Sequence, residues 1–191
     1  MGQADIQFDV VTDPRSYEAQ ESMLLCRCQF ELSDFESRGI VARLLNPAII
    51  SPNRFHYIVA KQGDDIVGLA IFYFLSDVNL GYLEYITVKP DYRGMGIGRK
   101  IYQKVIEILK QDSSHLSGIV FEVRNVSKEL QERKEFFLKI GAIPVDLSFY
   151  PTNKEIINSG MLLMLHPMED IKMTWPVMSK TLNNLCQVIY Q

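Results

Sequence analysis

Tyr85-Ile86-Thr87-Val88-Lys89-Pro90-Asp91-Tyr92-Arg93-Gly94-Met95-Gly96-Ile97-Gly98-Arg99-Lys100 is the stretch on which the reading of this 191-residue chain turns. Tyr82–Val88 is rich in β-branched and aromatic residues and reads as a strand closed by Lys89-Pro90. Ile97, Ile101, Val105 and Ile108 recur at helical spacing, with Lys100, Lys104 and Glu107 elsewhere, which predicts a helix over Ile97–Lys110. Gly94, Gly96 and Gly98 alternate where the strand gives way to the helix. Glycine allows positive φ and lets a ligand approach main-chain N–H groups. A helix N-terminus adds unpaired N–H groups and a partial positive charge. Arg93, Arg99 and Lys100 add full charges. Together these make an anion site suited to phosphates.

Two phosphate motifs are excluded. A Walker A loop needs Gly-Lys-Ser or Gly-Lys-Thr, and neither follows these glycines. A dinucleotide fingerprint needs Gly-x-Gly-x-x-Gly, whereas here the spacing is Gly-x-Gly-x-Gly.

On the N-terminal side, Phe55–Ala60 and Ile66–Leu75 read as strands, joined by a turn at Gln62-Gly63-Asp64-Asp65. Ser76–Asn79 turns the chain into Tyr82–Val88. Short turns between successive strands imply an antiparallel meander. Before it, Ile6–Val11 reads as a strand and Tyr17–Phe30 as a helix carrying Met23, Leu24 and Leu25. A second helix spans Phe35–Leu45, with Ile40, Val41, Leu44 and Leu45 on one face. Beyond the glycine loop, Ile119–Arg124 is a strand. Ser127–Ile140 is a helix with Ser127 as N-cap and Gly141 at its end. Ile143–Tyr150 and Met161–His166 form a final strand pair. Thr174–Tyr190 is a last helix with Met178, Leu182, Leu185 and Ile189 on one side. Hairpins combined with one strand–helix–strand crossover define an α+β class, a mixed sheet flanked by helices. The expected organisation is one domain over residues 1–168 and a C-terminal helical extension over 169–191 packed on it.

Hydrophobic residues make up 47% and charged residues 23% of the chain, enough apolar surface for a packed core. The net charge of −3 argues against a nucleic-acid partner, which calls for a basic surplus or stripe. No apolar run approaches the ~20 residues that span a bilayer, and no secretory pattern opens the chain, so no membrane partner is expected. Cys26, Cys28 and Cys186 are odd in number and sparse, which fits a reducing cytoplasm. Cys26 and Cys28 lack zinc-ligand spacing, so no metal is expected.

The glycine segment resembles motif A of the GNAT superfamily of acetyltransferases, Gln/Arg-x-x-Gly-x-Gly/Ala, matched by Arg93, Gly96 and Gly98. The order of elements is similar over about residues 6–166. Within Ile66–Lys100 the chain is also similar to the polyamine (spermidine/spermine-type) acetyltransferases, including Tyr82-Leu83-Glu84. The resemblance implies an acetyl-CoA-dependent N-acetyltransferase acting on a small-molecule primary amine by direct attack in a ternary complex. It implies pantetheine bonded to the backbone of Ile86, Thr87 and Val88 as an added strand, with pyrophosphate on Arg93, Gly94, Met95, Gly96, Ile97, Gly98, Arg99 and Lys100. It also implies that Ile119–Arg124 parts from the cofactor strand at one end. Asn125 is the nearest counterpart of an asparagine that members carry early in the next helix.

An alkyl amine of pKa near ~10.4 arrives protonated, so a base is needed. Glu84 is the first candidate, matching a functional glutamate of polyamine acetyltransferases; the other reading leaves it facing solvent on a half-exposed strand. Glu122 is the second. The Val88 N–H is a donor for the developing oxyanion. His56, His115 and His166 show no partner spacing. The family's general-acid tyrosine stands four residues before the glycine that ends the helix, and here that position is Phe137. Tyr150 and Tyr85 are substitutes, or water protonates the thiolate. Phe137 also keeps open a non-catalytic acetyl-CoA-binding or regulatory domain of the same fold. A third reading is self-association as a homodimer through the terminal helix.

Overall fold

The structure is a computed structural model that describes residues 5–124, 128–145, 161–168, 176–177, 179–181 and 183–184. Among the described residues seven strands form one sheet in the order β1-β2-β3-β4-β5-β7-β6. They are β1 Gln7–Val10, β2 Arg54–Gln62, β3 Asp65–Leu75, β4 Leu80–Val88, β5 Gly118–Arg124, β6 Ile143–Pro144 and β7 Met161–Pro167. Four α-helices of the described residues pack around the sheet: α1 Tyr17–Phe30, α2 Asp34–Leu45, α3 Ile97–Asp112 and α4 Lys128–Lys139. The α+β class expected from the sequence is the one observed.

Local chemistry sets the boundaries. The Ser16 hydroxyl accepts from the Ala19 N–H at the start of α1. Ser33 and Glu36 form a capping box that starts α2. Gly63, at φ 62°, turns β2 into β3. β1, β2, β3 and β4 pair antiparallel in succession. β4 and β5 are parallel, so α3 must carry the chain across one face of the sheet between them.

That face is closed by α3 and α4. Ile101, Val105 and Phe137 pack with Phe72, Leu83 and Phe121 of the sheet. On the other face Cys26 of α1 and Ile40 and Leu44 of α2 pack on Tyr57, Leu69 and Ile71. Two glycines bring α3 close to the sheet: Gly68 of β3 lies under Ile101 and Gly81 of β4 under Leu109. A Cβ on Gly68 would stand 2.7 Å from the Thr87 carbonyl oxygen and 2.6 Å from Ile101 Cδ1. The carbonyl belongs to β4 and cannot swing away. Gly68→Ala is therefore expected to destabilise the fold by about 1–3 kcal/mol, the usual cost of overpacking, measured by denaturant unfolding.

Several helix faces differ from the sequence reading. On α1 the buried residues are Ala19, Ser22 and Cys26, while Leu24 is 57% exposed. Ser22 is buried because its hydroxyl meets Tyr57 Oη at 2.7 Å. On α2, Leu45 is 68% exposed and Arg43 is buried in its stead. On α3 the buried stripe is Ile97, Ile101, Tyr102, Val105 and Leu109. A 3.6-residue period lets a position one step off the read stripe face the sheet, and packing decides between such neighbours.

Of the final strand pair, Ile143–Pro144 pairs with β7, and residues 146–160 lie outside the described residues. Ser127 and most of the terminal segment, including Met178, Leu182, Leu185 and Ile189, also lie outside them. The described residues between 176 and 184 are helical, and Asn53 Nδ2 donates to Asn184 Oδ1 at 3.2 Å.

Candidate active site

β4 and β5 pair only from Leu80/Gly118 to Leu83/Phe121. β4 continues beyond that point along β3, and β5 continues along β7. The two strands thus part at Glu84 and Glu122, and among the described residues no strand pairs with the β5-side edge of Ile86, Thr87 and Val88. Lys89 N–H donates back to Val67 O of β3 at 2.8 Å. Strand alternation then turns the N–H and C=O of Val88 and Ile86 toward the opening. Val88 O accepts from Arg93 Nε at 3.1 Å.

The glycine loop caps this opening. Gly94 and Gly96 both take positive φ, 79° and 78°. Gly96 is the N-cap of α3, and the first intrahelical bond runs from Lys100 N–H to Gly96 O. The N–H groups of Ile97, Gly98 and Arg99 therefore precede the ladder and project from its end. Among the described residues, a Cβ on Gly94 or Gly96 would meet nothing within 4 Å, so they leave the space over these amides open. Gly98 differs: a Cβ there would make ordinary contact with Val88 and Phe136 at 3.7 Å. The Ile97 side chain is buried in the core, whereas Met95 is 51% exposed. Arg99 is exposed and Lys100 half-buried. Arg93 also bonds Gln29 of α1, so in this structure it ties the loop to β4 and α1.

Glu84 does not face solvent. The register of β3 against β4 slips between Ile71 and Phe72, which leaves Glu84 as the extra residue of a β-bulge. Tyr85, next in sequence, then packs with the core cluster under α1 and α2. The Glu84 carboxylate also points that way: Tyr73 Oη donates to Oε2 at 2.7 Å and Arg43 Nη2 lies 3.7 Å from Oε1. Its side chain is 7% exposed. Burial pushes the Glu84 pKa up, against the opposing pull of Arg43 and the Tyr73 hydroxyl. Burial also raises Glu122, which makes no ion pair among the described residues. Burial holds Tyr73 and Tyr82 protonated, each reinforced by a neighbouring glutamate.

A cleft between parting parallel strands, capped by a glycine-rich helix start, invites comparison with known proteins. The model of the acetyltransferase (GNAT) family matches residues 20–139, well over half of the chain. The chain belongs to the GNAT family. A mouse thialysine N-epsilon-acetyltransferase is 35% identical over 112 residues, covering 49% of this chain and 66% of that protein. The pig protein of the same name is 45% identical over 65 residues, covering 28% of this chain and 38% of its own length. The chain thus spans less than two thirds of the length of these relatives. The ribosomal-protein-S18-alanine N-acetyltransferase of Escherichia coli shares the fold at 14% identity and TM-score 0.60, covering 89% of this chain and 98% of that one. A GNAT-family acetyltransferase of Staphylococcus aureus MU50 does so at 18% identity and TM-score 0.60, covering 85% and 100%.

Within this GNAT fold, Phe137 is buried and stacks on Phe121 of β5 with ring centroids 3.9 Å apart. Tyr85 packs under α1, its ring 5.0 Å from Phe30. Tyr150 and Asn125 lie outside the described residues. Two of the histidines have partners in space that their sequence positions did not suggest. His56 Nε2 is 2.6 Å from Asp112 Oδ2, and His166 Nδ1 is 2.8 Å from Tyr102 Oη. Both pairs join elements distant in sequence, so no local spacing could show them. The sequence reading singled out neither Arg43 nor Tyr73. Among the described residues no helix is long and apolar enough to cross a membrane.

Proposed function

We propose that the chain transfers an acetyl group from acetyl-CoA to a primary amine of a small molecule by direct attack in a ternary complex. One observation carries the reading: β4 and β5 part beside a buried carboxylate and directly below the glycine-capped start of α3. When bound, acetyl-CoA supplies a thioester open to a neutral amine. The open edge at Ile86, Thr87 and Val88 suits pantetheine, which binds by strand addition. The loop from Gly94 to Lys100 suits the pyrophosphate, with Arg93 ordering the loop. Glu84 accepts the proton of the amine directly or through water, and the Val88 N–H serves the developing oxyanion. Asn125 and Tyr150 stay candidates from the resemblance, for cofactor contact and acid respectively.

The curated relatives are named for the ε-amine of thialysine, which makes that amino acid the first acceptor to test, beside polyamines. The assay is thiol release from acetyl-CoA with a panel of amines. Release with at least one amine is expected. Tight acetyl-CoA binding without turnover on any amine or peptide would favour the non-catalytic reading, to which Phe137 gives its support.

A thiol of pKa near ~8.5 leaves as a tolerable thiolate without a dedicated acid. Phe137→Tyr is therefore expected to change kcat by less than about tenfold, the low end of general-acid effects being about a hundredfold. A hundredfold gain would mean that the missing acid limits the rate. The same proposal places the protein in the cytoplasm, as one catalytic domain over residues 1–168 with 169–191 appended. A homodimer through that appendage is tested by light scattering on a chain truncated near Met173, and an unchanged mass would sink it.

A further inference from the structure

We propose that Arg43, at the end of α2, is a positioning residue that fixes the Glu84 carboxylate in the cleft and keeps it ionised. The proposal rests on the reading of Glu84 as proton acceptor. Its geometry is that of a carboxylate held from two sides. Arg43 approaches Oε1 at 3.7 Å and Tyr73 Oη donates to Oε2 at 2.7 Å. Each oxygen thus has its own partner, one from α2 and one from β3. Both charged side chains are deeply buried, Arg43 at 6% and Glu84 at 7% exposure. The guanidinium is itself fixed, lying 5.6 Å from the Tyr73 ring centroid and 5.9 Å from that of Phe55. It reaches the strand by running back along α2 beside Gly39, where a Cβ would lie 3.6 Å from Nη2.

The surroundings show why a cation is needed. The groups bearing on Glu84 are Arg43 and Glu36 from α2, Tyr73 from β3, Tyr82 and Tyr85 from β4, and Glu122 from β5. Among these, Arg43 is the cation; the others are carboxylates of like charge or phenols held protonated by burial. A glutamate this dry beside two other carboxylates would keep its proton and could not take another from an ammonium group. Arg43 opposes both the desolvation and the repulsion, although burial still leaves the carboxyl raised. A guanidinium suits the place, since it lies within cation–π range of two rings while one of its nitrogens approaches the carboxylate.

The test follows the Glu84 carboxyl carbon by 13C NMR in glutamate-labelled protein, assigned by its loss in Glu84→Gln, together with the pH profile of kcat/KM. In Arg43→Met, or in Arg43→Gln should the methionine variant not fold, the carboxyl is expected to titrate at least one pH unit higher. Arg43→Lys keeps a charge without the guanidinium and is expected to move it less. The acid limb of kcat/KM should move with the carboxyl, a tenfold loss of rate on that limb for each pH unit. Affinity for acetyl-CoA should stay unchanged, because Glu84, Tyr73 and Phe55, against which Arg43 lies, are outside the glycine loop. A merely structural role lowers the unfolding temperature without moving the titration. A Glu84 carboxyl that titrates alike in wild type and the neutral variant overturns the proposal. A carboxyl that moves while the rate profile does not leaves the hold of Arg43 standing and removes Glu84 from the chemistry, which is a failure of the functional reading alone.

Discussion

Replacing Gly96 by valine is expected to weaken acetyl-CoA binding by at least about a hundredfold while the protein stays folded, an effect equal to the loss of one or two hydrogen bonds to a charged group. The N-cap of α3 has φ 78° and ψ 1°, a conformation that glycine takes freely and a β-branched residue resists. Relaxation of that strain, about 1–3 kcal/mol, would rotate the peptide planes whose N–H groups point out of the helix. The new side chain would also project into the space over those amides, since no atom of the described residues lies within 4 Å of a Cβ there. The same openness limits the harm to the fold, because nothing is displaced. Gly98→Ala is the control: its Cβ would rest at 3.7 Å from Val88 and Phe136 on the protein side, and affinity should hardly change. Calorimetry with acetyl-CoA reads both variants. Unaltered affinity in Gly96→Val would remove the phosphate from this loop.

The contrast between Gly96 and Gly98 shows where the sequence was informative and where it was not. Three alternating glycines between strand and helix located the loop, because the need for positive φ and open backbone is written in residue type. Which glycine does which task depends on what stands over it, and Phe136 comes from α4, far along the chain. The strand limits were legible for the same local reasons: β3 was read as Ile66–Leu75 and runs Asp65–Leu75. The parting of β4 and β5 was not legible from pattern, since it depends on the register of β7 and β3 with their neighbours, and it came from the resemblance alone. Glu84 is the sharpest case. Strict alternation would place Glu84 and Tyr85 on opposite faces, and the half-exposed reading followed from that. The bulge turns both toward α1 and α2. A trace of it was present, for Tyr82-Leu83-Glu84-Tyr85-Ile86 does not alternate cleanly. Arg43 left no trace, because a charged residue among Ile40, Val41 and Leu44 reads as the solvent edge of an amphipathic helix. Its burial requires a carboxylate and two rings brought from three strands.

Glu84→Gln is expected to lower kcat about 10²- to 10⁴-fold, the range for removal of a general base, with acetyl-CoA affinity kept. The carboxylate lies where the strands part, and burial raises its pKa, so it holds an abstracted proton better than a surface glutamate. The sign of the pH effect follows. Glu84 works in its ionised form, and its proton returns as pH falls through the raised value. The acid limb of the rate should therefore lie above the ~4.3 of a free glutamate and vanish in the glutamine variant. The substitution also leaves Arg43 buried beside a neutral amide, and breaking such a pair costs about 3–5 kcal/mol of stability. Rates must then be taken well below the unfolding temperature of the variant, followed by circular dichroism. Glu122→Gln separates the two candidates. Glu122 makes no ion pair among the described residues, so its loss should leave the fold as stable or more so. If Glu84 is the base, Glu122→Gln costs less than about tenfold and keeps the acid limb. If instead Glu122→Gln erases the limb and Glu84→Gln does not, the proton leaves through β5. Glu84 would then be the counter-ion that allows Arg43 to lie beneath the cleft.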